Sequence, residues 1–75
     1  METQDPRIEK IAKRVKELRK QKGYISYEEF SSTYKIPKVQ YWRMEKGTNF
    51  TINSLLRVLD AHGITIQEFF QGVEK

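Results

Sequence analysis

Proline or glycine falls at residues 6, 23, 37, 47 and 63, and each interval between them carries apolar residues at helical spacing. Proline suits only the first turn of a helix, and it disfavours helical geometry in the residue before it. Glycine just past a helix end takes a positive φ at little cost. The chain is therefore cut into short helices. Asp5 is placed to cap the first, with Pro6 at its first position; it should run to about Lys22 on a stripe of Ile8, Ile11, Val15 and Leu18. Ser26 and Glu29 form a capping box for the second helix, whose Phe30 and Tyr34 are four apart. The chain must turn at Ile36-Pro37. The third helix, opened by Pro37 and closed by Gly47, turns Tyr41 and Met44 inward. A polar loop over 48–51 precedes a fourth helix, about 52–62, predicted to bury Ile52, Leu55, Leu56 and Leu59. Thr65 and Glu68 box the start of a fifth, with Ile66, Phe69, Phe70 and Val73 as its apolar content. No convincing strand and no repeat are present. The expected fold is a compact all-α five-helix domain spanning 1–75, with its core over about 7–71.

Length and composition narrow what such a fold can do. Seventy-five residues make one domain, and a chain this short buries only about 60% of its unfolded surface, leaving little room for an enclosed catalytic cavity. No cysteine is present and only one histidine, His62, so thiolate and histidine-rich metal sites are ruled out and neither a metal nor a cofactor is expected. His62 is expected to cap the end of the fourth helix, favoured there by the helix dipole. It has no serine or carboxylate at a catalytic spacing, and no enzyme activity is expected. The first fourteen residues hold no continuous apolar run, so neither a signal peptide nor a membrane span is expected, and the cytoplasm is the expected location.

Charge is more informative. The net +4 is unevenly spread: residues 1–24 carry eight basic and four acidic groups, and residues 35–49 carry Lys35, Lys38, Arg43 and Lys46 against Glu45 alone. Two positive stretches fit a polyanionic partner, although a solvated lysine-rich face would look the same by charge.

The residues around Ile36 are more specific. Two short helices crossing at a steep angle need a small residue at the crossing, which Ser31 supplies, and an apolar plug in the turn, which is Ile36. They also need two inward anchors on the second helix, which are Tyr41 and Met44. This is a helix-turn-helix pattern formed by helices 2 and 3. It is flanked in order by Leu18-Arg19, Gly23, Ser26-Tyr27-Glu28-Glu29-Phe30, Met44-Glu45-Lys46-Gly47, Leu55-Leu56 and Gly63-Ile64-Thr65-Ile66. With these flanks the chain resembles the lambda-repressor-like, Cro and Xre family of five-helix DNA-binding domains over roughly residues 12 to 70.

The resemblance implies a sequence-specific regulator of transcription, expected to be a repressor, that reads the major groove of double-stranded DNA with residues 37–46. It also implies an ion pair between Arg19 and Glu45, which would relieve a carboxylate at a helix C-terminus. With Tyr41 and Met44 inward, Lys38, Val39, Gln40 and Arg43 become candidate base readers: lysine or arginine for guanine, glutamine for adenine, valine for a thymine methyl. Trp42 and Lys46 are candidates for the DNA backbone. The family usually has a small polar residue in place of Trp42, whose indole would pack on sugar-phosphate or fold back on the domain. Tyr27 stands at the second helix's N-terminus, where the family often has glutamine and a phosphate is favoured. Thr48 and Asn49 match a phosphate-contacting loop. Lys35 replaces the usual turn glycine, so either it adopts a positive φ or the turn is reshaped.

Ile64, Ile66, Phe69 and Phe70 are more apolar surface than so small a chain easily hides. They would either finish the core or form a two-fold homodimer interface. A dimer would set its reading helices one DNA turn apart, about 34 Å, on a palindromic operator. The alternative function is a protein-interaction module of the same fold, such as an antitoxin that binds a partner protein and autoregulates its operon. No small-molecule ligand is evident, and regulation through expression level, proteolysis or a partner protein is expected.

Overall fold

A computed structural model of the chain describes residues 5–73. Five helices follow in order: α1 Pro6–Gln21, α2 Tyr27–Thr33, α3 Lys38–Lys46, α4 Ile52–His62 and α5 Ile66–Val73. No strand occurs among the described residues, and no helix is long and apolar enough to cross a membrane. Their limits are set by local chemistry. Asp5 accepts from the Arg7 amide at 2.8 Å, and the Arg7 side chain and amide together hold its carboxyl down at about 2. The Glu29 amide donates to Ser26 Oγ at 3.0 Å, and the Ser54 amide to Thr51 Oγ1 at 3.1 Å. At α5 both halves of the capping box form, Glu68 N to Thr65 Oγ1 at 3.0 Å and Thr65 N to Glu68 Oε1 at 2.9 Å. Each such cap is worth about 1 kcal/mol.

The core draws on every helix and on the turn. Val15, Phe30, Tyr41, Met44, Val58 and Phe69 are wholly buried, and Ile36 plugs the α2–α3 turn. Ser31 is buried at the helix crossing, as its small side chain allows. α1 packs on α3 and on α5, so the long first helix is the spine against which both are held. Gly72 is where α5 meets α1: any side chain there would run into the Arg14 guanidinium.

Three expectations are corrected. In α4, Ile52 and Leu56 are exposed, 66% and 37%, while Val58 is buried beside Leu55 and Leu59. Leucines and isoleucine at 52, 55, 56 and 59 fit a helical stripe as well as 54, 55, 58 and 59 do; packing against α3 and α5 selects the second, about a quarter-turn away. His62 does not act as a C-terminal cap. Its ring stacks on Phe30 at 5.0 Å and 15°, and its Nε2 is buried without a hydrogen-bond partner. Burial, then Lys22 and Arg14, push its pKa down to about 4, so it is a neutral part of the core wall. Phe69, expected at a dimer interface, is in the core with no exposed surface.

Candidate nucleic-acid interface

The turn that aims α3 keeps its tight geometry despite the lysine. Lys35 adopts φ 57, and the Ile36 amide donates back to the Ser31 carbonyl at 2.9 Å. A residue with a Cβ in this region costs about 1 kcal/mol. Arg57 of α4 lies beneath, its Nη1 donating to the Lys35 carbonyl at 3.3 Å.

The far end of α3 is fixed by a buried ion pair. Arg19 Nε and Nη2 donate to the two oxygens of Glu45 at 2.7 and 3.0 Å, and Nη1 donates to the carbonyls of Tyr24 and Ile25 at 3.0 and 2.6 Å. Both side chains are 7% exposed. Glu45 holds Arg19 still more firmly in its charged form. The Tyr41 hydroxyl is buried beside the pair, and burial followed by the Glu45 carboxylate raises its pKa far above the ordinary phenol value. One guanidinium thus ties α1, the loop before α2 and the end of α3 together. The pair also removes Glu45 from the field around α3.

What remains outward on α3 is a continuous arc. Successive residues turn by about 100°, which puts Lys38, Trp42, Lys46, Val39 and Arg43 side by side opposite Tyr41 and Met44. All five are exposed, Val39 at 60% and Trp42 at 40%. Trp42 does not fold back into the core; the Lys46 ammonium sits 5.9 Å above its ring. Lys38 is 3.9 Å from Glu28 with both side chains exposed, a pairing that costs little to give up. Arg43 makes no ion pair among the described residues and faces the loop of Thr48 and Asn49.

Two candidate contacts are placed differently from expectation. Gln40 turns toward α4, where its Oε1 accepts from the Thr51 amide at 2.8 Å. That bond engages one lone pair of its carbonyl oxygen and ties Gln40 to the α3–α4 loop. Tyr27 opens α2 but is half-buried against the core, leaving only part of the phenol outward. Thr48 is exposed, with its amide and hydroxyl both on the Arg43 carbonyl at 3.0 and 3.5 Å, and Asn49 is exposed next to it.

Around α5, Ile66 is 56% exposed, while Ile64 and Phe70 are half-buried against the core. Phe70 stands edge-on to Phe69 at 5.0 Å and, with Ile8, Ile11, Phe50 and Leu55, forms the apolar wall of an open cleft of about 670 Å³ that Arg43, Thr48 and Asn49 also line. The bracing residues Arg57 and Gln40 and the aromatic contact of Tyr24 with Phe30, 5.4 Å between ring centres, carry no signature in the sequence. They depend on how the loops and helices pack, among residues that are ordinary in themselves.

No protein family, curated protein or solved structure matches the chain.

Proposed function

We propose that the chain is a duplex-DNA-binding transcriptional regulator of the lambda-repressor-like kind, a repressor in the simplest case. In this reading α3 lies in the major groove. The observation that carries it is the outer arc of α3, three unpaired or weakly paired cations beside an exposed valine and tryptophan. The arc sits on a helix pinned at both ends by buried or strained contacts. A solvated helix has no use for an exposed indole, and three cations around it repel one another; a polyanion relieves both.

Lys38 and Arg43 act as the base readers, each able to donate to guanine O6 and N7, with Val39 against a thymine methyl. Lys46, Trp42, Thr48, Asn49 and the outer part of Tyr27 serve the sugar-phosphate backbone, fixing register rather than sequence. The proposed working form is a homodimer in the cytoplasm on a palindromic operator, with Ile66 at the centre of the contact and Ile64 and Phe70 at its edge. The exposed Ile25, Ile52 and Leu56 favour a second reading, a protein-interaction module that neutralises a partner.

Capture from a pool of random duplexes at two salt concentrations separates the two. A reader retains an enriched motif and loses affinity steeply with salt, because each phosphate contact releases counterions. No retained duplex at low salt would exclude DNA binding.

A further inference from the structure

The sequence carries positive charge in two separate stretches, and reading by α3 uses only the second. The fold brings them together. Between α1 and the end of α3 lies an open groove of about 350 Å³, edged by Glu9, Lys13 and Lys16 from α1 and by Glu45 and Lys46 from α3. Lys13 and Lys16 are exposed and make no ion pair among the described residues. They stand three residues apart, hence on one face of α1. Glu45 is already engaged by Arg19, so Glu9 alone opposes three lysines. Buried Ala12 forms the floor, and its small side chain leaves the approach open.

Lys46 belongs to both surfaces. On one side it lies over Trp42 in the outer arc of α3, and on the other it edges this groove. A DNA strand held by that arc would therefore pass the groove without a break in positive charge.

Building on the DNA-reading proposal, we infer that Lys13 and Lys16 form a second backbone-binding surface. They hold phosphates of the strand that flanks the C-terminal end of α3 and extend the footprint beyond the reading helix. Lysine suits this role, because it is a compact point charge on a flexible stem and makes no demand on base identity.

The test compares the salt dependence of affinity for a duplex selected by the unmodified protein. Each lost phosphate contact lowers the log–log salt slope by about 0.9 on B-DNA. Lys13→Gln with Lys16→Gln is expected to reduce the slope by about 1.8 and leave the enriched motif unchanged. Lys13→Arg with Lys16→Arg should keep the slope. Lys22→Gln with Lys35→Gln removes the same charge from exposed residues that do not line the groove and serves as the control for long-range attraction. If the two glutamine pairs change the slope equally, or not at all, the groove is not a phosphate site although α3 still reads DNA. If the unmodified protein selects no motif, both proposals fall.

Discussion

Arg19 shows how much one side chain can hold. Its guanidinium makes four charge-assisted bonds from a site that is almost fully enclosed. Removing it strands Glu45 in the interior, and breaking a buried pair this way costs about 3–5 kcal/mol. Arg19→Ala is therefore expected to lower the urea midpoint sharply, and Arg19→Lys to recover only part of the loss, because an ammonium cannot match both carboxylate oxygens. An unchanged midpoint would mean the pair is dispensable. The arginine and its partner are foreseen in the sequence only through the family resemblance that the motifs around them carry. His62 is not, since one histidine near a helix end looks the same whether it caps the helix or stacks on Phe30. Its pKa in the fold, about 4, lies below the free value of 6.5, so the unfolded chain binds the proton more readily. The stabilisation is complete above about pH 6.5 and is lost as pH falls toward 4. Because His62 is only partly buried, solvent screening limits the loss to about 1–2 kcal/mol. Denaturation at pH 7 and pH 4.5 should show this, and His62→Phe should flatten that part of the dependence.

At the scale of elements, the turn between α2 and α3 is tight but carries strain. Lys35 holds a positive φ that glycine would take freely. Lys35→Gly is expected to raise stability by about 0.5–1 kcal/mol, the relief being offset in part by the freer unfolded chain. Lys35→Val should destabilise it, because a β-branched residue fits this region worst. Equal stability for all three would mean that the turn tolerates any residue. All five helices can be placed from caps, prolines and glycines, because those signals act within a few residues. The faces of the helices are harder to assign. In α4 two overlapping apolar stripes compete within one sequence, and only contact with the rest of the fold exposes Ile52 and buries Val58. Gln40 escapes assignment for a related reason: its amide can serve a base or the Thr51 amide, and the path of the loop decides which.

In the whole molecule a firmly braced α3 and a less finished α5 border one cleft, which Arg43 and Phe70 both line. The radius of gyration is 11.5 Å, close to the value of about 11 Å for one compact domain of this size. The sequence leaves Phe69 open to core or dimer interface; it is core in the fold, because a chain this short needs every large ring to complete one interior. The dimer proposal therefore rests on Ile66, with Ile64 and Phe70 beside it. Sedimentation on DNA should give two copies per duplex, and Ile66→Lys should reduce that to one. A strict monomer with and without DNA would remove the dimer. If the outer arc of α3 reads base edges, paired selections from random duplexes with the unmodified protein and with Arg43→Ala will differ at one position. The unmodified protein should enrich one motif; Arg43→Ala should enrich the same motif relaxed at one guanine, with a loss of about 1–3 kcal/mol there. An identical motif at every position, or no motif from the unmodified protein, would mean that α3 does not read bases through Arg43.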